Sequence, residues 1–154
     1  MKKGALAREA VFTALPCVLA DRVTKALALK LPQGGIAAGP FRLVCVRNTG
    51  VAFGMLGGSG ALSAALSAVL LALLSWWLFS GRERLRRCRA ALLMMLAGGL
   101  SNLYDRVFFG GVTDFIEPTF VRFAVFNAAD VFVCAGAALF ALFRMTVKDD
   151  DRIG

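Results

Sequence analysis

Four long apolar stretches alternate with shorter polar segments along this chain. The stretches cover residues 10–31, 61–79, 90–109 and 123–143. A helix needs about 20 mainly apolar residues to cross the hydrocarbon core of a bilayer. The pattern therefore predicts an all-α membrane protein with four transmembrane helices, and residues 1–154 are expected to form a single integral membrane domain.

The first stretch has two interpretations because charged residues interrupt it at Asp21, Arg22, Lys25 and Lys30. Lys2 and Lys3, followed by the apolar residues 10–20, could form a cleaved signal peptide. The apolar pattern resumes after Asp21, which favours a retained helix.

A β-rich element is predicted between the first two stretches. Residues 41–47 are rich in strand-forming side chains, and Asn48-Thr49-Gly50 is a turn signal. We expect an extended or hairpin element over residues 41–55 on the outer surface. A second outer loop is predicted at residues 110–122, which begins with two glycines and contains Pro118.

Composition supports the membrane class and argues against nucleic-acid binding. Hydrophobic residues make up 58% of the chain, against about 45–50% in soluble domains. The net charge of +8 could suggest a nucleic-acid partner. However, arginines cluster at positions 82–89 between two apolar stretches, which is typical of a cytoplasmic loop. Both termini are then expected on the cytoplasmic side of the membrane.

Metal and disulfide chemistry are not expected. The chain has no histidine, and its four cysteines are scattered without a CxxC pair. We read the cysteines as small apolar residues, and we expect neither a metal nor a cofactor.

Four aspartates lie in or beside the apolar stretches: Asp21, Asp105, Asp114 and Asp130. A carboxylate at the centre of a membrane helix costs roughly 2.5–3.5 kcal/mol even on insertion scales, so such residues usually have a function. The predicted spans place all four, together with Asn102 and Arg106, in the outer half of the membrane. Agreement in depth between separate regions favours one common site.

Local spacing divides these acids into two kinds. Asp21 can pair with Lys25 one helical turn away, and Asp105 has Arg106 beside it. Asp114 and Asp130 have no cation within four residues. If they approach each other, they would share a proton, because two adjacent carboxylates cannot both ionise cheaply. Simpler structural alternatives remain: Asp114 as a loop residue, and Asn102 and Asn127 as interhelical hydrogen-bonding residues.

Five sequence blocks resemble the bacterial lipoprotein signal peptidase (signal peptidase II) family. They are residues 21–25 (DRVTK), 48–54 (NTGVAFG), 98–106 (GGLSNLYDR), 111–115 (GVTDF) and 126–130 (FNAAD). The departures are mild: Ser101 and Thr113 stand where the family more often has glycine and an apolar β-branched residue.

The resemblance implies a protein of the bacterial inner membrane with four transmembrane helices and a small β-rich extracytoplasmic cradle. It implies an aspartic endopeptidase with Asp114 and Asp130 as its catalytic dyad. It implies a surrounding site of eight residues: Asp21, Lys25, Asn48, Gly50, Asn102, Asp105, Arg106 and Asn127. It also implies a substrate, a prolipoprotein with diacylglycerol on the cysteine that becomes its new N-terminus. Membrane lipid is the expected surrounding partner, and a monomer is expected.

Two other functional classes fit parts of the pattern. A small proton-coupled transporter could use buried aspartates as a relay, and a non-catalytic membrane subunit could use them structurally. A transporter would need polar positions at several depths, whereas the cytoplasmic halves of the spans carry few. A structural subunit would not explain two unpaired aspartates at one level.

The arginine distribution makes a prediction about topology. A reporter fused after Gly81 or at the C-terminus should lie in the cytoplasm, and one fused near Gly58 should lie outside, because positively charged loops stay on the cytoplasmic side. Paired alkaline phosphatase and fluorescent-protein fusions measure this. A cytoplasmic Gly58 reporter would invert the topology.

Overall fold

Helices form most of the described structure, with one small sheet at one end. The computed structural model describes residues 3–50, 60–80 and 86–146. In chain order these residues form α1 (Lys3–Ala28), β1 (Ile36–Ala38), β2 (Phe41–Asn48), α2 (Gly60–Phe79), α3 (Arg86–Phe109), β3 (Val112–Pro118) and α4 (Ala128–Thr146). The predicted element at residues 51–55 and the arginines at positions 82 and 84 lie outside the described residues.

Two of the helices are apolar enough to cross a membrane by length and composition alone. They are Ala61–Phe79, with a mean hydropathy of 2.0, and Ala128–Thr146, with 1.7. Many large apolar side chains point outward, including Phe12, Leu70 and Phe108. Charged residues interrupt α1 and α3, so the prediction of four spans is confirmed only in its coarser form: a mostly helical protein with a small sheet.

Helix α3 is the central helix and packs against the other three. Its contact with α4 is close because two glycines leave room for backbone. A Cβ atom at Gly98 would collide with the carbonyl oxygen of Ala129, and one at Gly136 would lie 2.7 Å from that of Ala91. An aliphatic cluster fills the space around α3: Leu6, Leu71, Leu78, Leu92, Leu93 and Leu96.

The sheet has the strand order β1-β2-β3, with antiparallel neighbours. The β1–β2 hairpin confirms the predicted extended element. The prediction of a second outer loop was wrong, because Val112–Pro118 forms the third strand. Gly110, with a φ of 69°, reverses the chain directly after α3. Residues 112–116 can therefore pair with the open edge of β2, and Pro118 ends the strand.

A register shift in β2 fixes which side chains face each other. Leu43 pairs with Ile116 and Val46 with Asp114, so three steps on β2 match two on β3. Asn48 then lies opposite Val112, diagonal to Asp114 and on the same face. Without this extra residue the alternation would turn Asn48 to the other face.

Helix α4 begins at Ala128, five residues later than the predicted position 123. The preceding segment is extended, and Phe126 exchanges backbone hydrogen bonds with Ile116 at 2.8 and 3.1 Å. This contact with the sheet competes with the helix, and Asn127 is well suited to the position just before one. Asp130 is therefore in the first turn of α4, instead of about 10 Å along a longer helix.

Candidate active site

A group of two cations and two carboxylates joins α1 to α3; we call these four residues the charged cluster. They are Asp21, Arg22, Lys25 and Asp105. Lys25 Nζ lies 2.9 Å from Asp21 Oδ2 and 2.7 Å from Asp105 Oδ2. Arg22 bridges the same two carboxylates, at 2.8 and 2.6 Å. Formal charge is balanced within the cluster, and Asp21, Lys25 and Asp105 are buried.

Asp21 also holds the start of α4. Its Oδ1 accepts a hydrogen bond of 2.9 Å from the backbone N–H of Ala129, and its Oδ2 accepts one of 2.6 Å from Ser101 Oγ. The first backbone N–H groups of a helix have no partner inside the helix and carry its positive dipole end, so a carboxylate stabilises them. A single carboxylate thus links α1, α3 and α4.

The predicted pairing of Asp21 with Lys25 is confirmed. The predicted partner of Asp105 was wrong: Arg22 and Lys25 bind it, whereas Arg106 directs one nitrogen at the carbonyl oxygen of Asn102, 3.4 Å away. Adjacent residues on a helix diverge by about 100°, so adjacency in sequence does not decide which cation binds an acid: Arg22 reaches its neighbour Asp21, whereas Arg106 turns to the Asn102 carbonyl oxygen.

Asp114 and Asp130, which we call the acid pair, are bound differently. Asn48 and Asn127 side chains donate to Asp114 at 2.8 and 2.6 Å. The Asn102 side chain and the Asn127 backbone N–H donate to Asp130 at 2.8 and 3.1 Å. Within the described residues no salt bridge reaches either acid, and every hydrogen bond that either carboxyl receives comes from a neutral amide.

Asn127 brings the acid pair together through the start of α4. Its side-chain oxygen accepts from the backbone N–H of Asp130 at 3.1 Å, while Asp130 accepts from the backbone N–H of Asn127. This reciprocal pattern is a capping box, here with Asn and Asp in place of Ser and Glu. The Asn127 side-chain nitrogen remains free to bind Asp114, so both acids are connected to one residue.

Each of the three asparagines has its side-chain oxygen held by a donor. Lys25 Nζ donates to Asn102 at 2.7 Å, the Gly50 backbone N–H donates to Asn48 at 3.0 Å, and Asp130 N–H donates to Asn127. Because an amide oxygen accepts and its nitrogen donates, each side-chain NH₂ group must point towards an acid. The Gly50 contact uses only backbone, so it does not itself require glycine.

The surroundings of Asp114 on β3 favour its neutral form. Burial raises the pKa of this carboxyl, and the nearby charge of Asp130 raises it further, while hydrogen bonds from Asn48 and Asn127 act in the opposite direction. No cation binds Asp114 directly within the described residues. Asp114 therefore keeps its proton to a higher pH than an exposed aspartate does.

Both acids line a cavity of about 590 Å³ at the junction of α3, β3 and α4. Its polar lining consists of Asn48, Asn102, Arg106, Asp114, Asn127 and Asp130. The described residues contain no group of three or more His, Cys, Asp or Glu side chains positioned to hold a metal ion. The polar content of the cavity is therefore two carboxyl groups, three amides and one guanidinium.

Comparisons with known proteins identify the family. A family model described as signal peptidase (SPase) II matches residues 13–146. The chain belongs to the signal peptidase II family. All the residues of the charged cluster and the acid pair lie within the matched region.

Curated relatives carry the name lipoprotein signal peptidase. The protein of Clostridium acetobutylicum is 32% identical over 144 residues, covering 89% of this chain and 93% of the relative. That of Ectopseudomonas mendocina is 37% identical over 136 residues, covering 81% and 80%. A solved bacterial membrane enzyme structure superimposes with a TM-score of 0.76 at 26% identity, covering 96% of both chains. Another has a TM-score of 0.78 at 24% identity, which shows a shared fold.

The structure of this signal peptidase II family member brings all ten predicted site residues into one region. Eight of them are the acid pair, the three asparagines that bind it, and three members of the charged cluster. The other two, Gly50 and Arg106, lie beside them. Two contributors were not predicted. Arg22 binds both cluster carboxylates, and Ser101 donates to Asp21. Both lie inside the family blocks, and Arg22 had one available signal: it directly follows Asp21 on a stretch that should otherwise exclude charge.

The charged cluster makes a prediction about Lys25. Lys25→Met should lower the free energy of unfolding by roughly 3–5 kcal/mol, because two buried carboxylates then share Arg22 as their one cation among the described residues. It should also impair activity, since the Asn102 oxygen loses its donor. Thermal unfolding in detergent and a cleavage assay measure both effects.

Arg42→Gln is the matched control, because it removes a cation from an exposed pair with Glu117. It should leave both readouts close to those of the wild type. A Lys25→Met variant as stable and active as the control would show that the cluster does not hold the site together.

Proposed function

We propose that this protein is an intramembrane aspartic endopeptidase that removes the signal peptide from prolipoproteins, with Asp114 and Asp130 as its catalytic dyad. The main support is the contrast between the two kinds of aspartate. Asp21 and Asp105 are neutralised by cations, whereas the acid pair receives only amide donors within the described residues. Carboxyl groups without cations are suited to exchange protons instead of remaining permanently ionised.

The proposed mechanism uses the two acids in different protonation states. The ionised carboxylate takes a proton from a water molecule, which attacks the carbonyl carbon before the substrate cysteine. The protonated partner donates a hydrogen bond to the carbonyl oxygen as negative charge develops there. A proton then passes to the leaving amine, and the pair returns to one shared proton. Asn48, Asn102 and Asn127 hold the carboxyl groups in place throughout.

The proposed substrate carries diacylglycerol on the cysteine directly after the cleavage site. Such a substrate is already membrane-bound, and the outward apolar surface of the helices, with Phe12, Leu70 and Phe108, suits an enzyme that meets it within the bilayer. We place the site near the outer leaflet of the bacterial inner membrane, with the sheet outside and both termini inside. Membrane lipid surrounds the enzyme, and it acts as a monomer.

We further propose that all four helices span the membrane, although α1 and α3 carry charges. Several of these charges meet in pairs: Lys25 with Asp105 at one level, and Glu9 with Arg89 at 2.7 Å at another. Paired charges are far less costly in a low-dielectric interior than isolated ones. The lengths of 26 and 24 residues correspond to about 39 and 36 Å, which exceeds the hydrocarbon core.

The transporter alternative gains no support. A proton path would need polar groups linking the two levels of paired charge. Residues 10–20 of α1 and 90–100 of α3 are apolar apart from Thr13, so about 15 Å of helix separates the levels without a relay. The polar groups instead converge on one cavity, as expected of a hydrolytic site.

Asp114→Asn and Asp130→Asn should each abolish cleavage of a diacylglyceryl prolipoprotein, reducing kcat by at least about a thousandfold. The amide is nearly the same size but cannot take or give a proton in the reaction. Turnover of purified enzyme in detergent, without any ion gradient, measures this, and circular dichroism checks the helical fold. Glu117→Gln, on the same strand but in an exposed ion pair, is the control and should retain activity. Wild-type turnover in either aspartate variant would remove that residue from the mechanism.

A further inference from the structure

Two cavities meet at Asn102, Arg106 and Asp130. One is the cavity of the acid pair. The other, which we call the α2–α4 groove, has a volume of about 730 Å³. Apart from these three residues and Ser67, apolar side chains and Gly99 line it: Leu70, Leu71, Leu73, Leu74 and Trp77 of α2, Leu92 and Met95 of α3, and Val133, Ala137 and Phe140 of α4.

The groove follows from the packing of the helices. Helices α2 and α4 both lie on α3, and over their described lengths they do not contact each other. Helix α3 therefore forms the floor of an open apolar channel between them. From Arg106 to Leu92 this floor extends for about 21 Å, the scale of one lipid acyl chain along its length.

Arg106 stands at the boundary between the groove and the acid cavity, and the described residues use little of its hydrogen-bonding capacity. Its Nε is buried and has no partner within the described residues, and Nη1 makes only the long contact of 3.4 Å with the Asn102 carbonyl oxygen. Arg22 differs, because its terminal nitrogens bind two carboxylates. A guanidinium offers five donors in a planar fork, so Arg106 is available for an acceptor on a ligand.

We propose that Arg106 binds the ester carbonyl oxygens of the lipid group on the substrate cysteine, and that the α2–α4 groove holds one of its acyl chains. This inference rests on the proposed function. In the substrate, the scissile peptide bond, the glyceryl esters and the acyl chains follow one another. Arg106 and Asp130 lie together where the acid cavity meets the groove, so a substrate with its scissile bond at the acid pair has its glyceryl esters close to Arg106 and an acyl chain at the mouth of the groove.

The polar contact, and not the groove, supplies the selectivity. An acyl chain that leaves a bilayer for an apolar groove exchanges one apolar environment for another, so it gains little. An ester oxygen bound to a guanidinium away from water gains a charge-assisted hydrogen bond. We therefore expect Arg106 to distinguish ester-linked from ether-linked lipid, because the ether lacks the carbonyl oxygens.

The test compares two precursors that are identical except for their lipid linkage, diacylglyceryl ester against dialkylglyceryl ether with the same chain length. Wild-type enzyme should cleave the ester precursor with a kcat/KM about tenfold higher than that of the ether precursor, which corresponds to the loss of one hydrogen bond to a charged group. Arg106→Gln should be slower on the ester and show no ester preference, and Arg106→Lys should retain part of it. Arg122→Gln, an exposed control outside both cavities described above, should keep the full preference.

Two outcomes would overturn the proposal: a wild-type enzyme that cleaves both precursors equally, or an Arg106→Gln variant that still prefers the ester. The first needs no variant, so it does not depend on whether Arg106→Gln folds. Neither result would bear on the proposed catalytic role of Asp114 and Asp130. That role is tested separately, by the activity of Asp114→Asn and Asp130→Asn on the ester substrate.

The groove has its own test. Ala137→Phe fills the channel and should lower kcat/KM for long-chain esters several-fold while sparing short-chain esters of the same precursor. Ala138→Phe, exposed on α4 but outside the groove lining, is the matched control and should affect neither. Equal effects of Ala137→Phe on long and short chains would show that the chain lies elsewhere.

Discussion

The orientation of three asparagine amides is the constraint on which the site depends. An amide can bind an acid through its nitrogen only if its oxygen has another donor, and Asn48, Asn102 and Asn127 all meet this condition. The donors come from the turn after β2, from Lys25 on α1 and from the start of α4. Turn, sheet and helices must therefore be assembled correctly before both acids are held. This requirement explains why a cavity with few polar groups draws on nearly every element of the fold.

The two groups of aspartates have different roles: the charged cluster stabilises the helix packing, and the acid pair is suited to the chemistry. The charged cluster balances its own formal charge and fastens α1, α3 and the start of α4 to one another. Among the described residues, Asn102 is the one whose side chain bonds to both groups, accepting from Lys25 and donating to Asp130. A neutral amide transmits position without delivering a full charge. The acid pair can thus lie beside strong cations and still receive no salt bridge within the described residues, which is the condition for sharing a proton.

Much of this arrangement could be predicted from sequence, and the errors have local causes. Helical spacing identified the Asp21–Lys25 pair, and the cost of charge within apolar segments identified all four aspartates. Contacts between distant segments could not be predicted from local sequence. Asp105 binds cations from another helix, and β3 forms because β2 offers it an open edge. The start of α4 was misplaced because apolar residues before Asn127 fit a strand contact as well as a helix. The extra residue in β2 that turns Asn48 towards Asp114 leaves no sequence signal.

The most direct test of the account is the infrared spectrum of purified enzyme with ¹³C-labelled aspartate at neutral pH. A protonated carboxyl group absorbs separately from ionised carboxylates, so the shared proton can be seen without any substrate. We predict one protonated aspartate per molecule that loses its signal as the pH rises, since the environment of Asp114 raises its pKa. The signal should be absent from Asp114→Asn, should disappear at a lower pH in Asp130→Asn because the Asp130 charge no longer raises the pKa of Asp114, and should be unchanged in Glu117→Gln. A spectrum with only ionised aspartates at neutral pH, or a signal that persists in Asp114→Asn, would contradict the account.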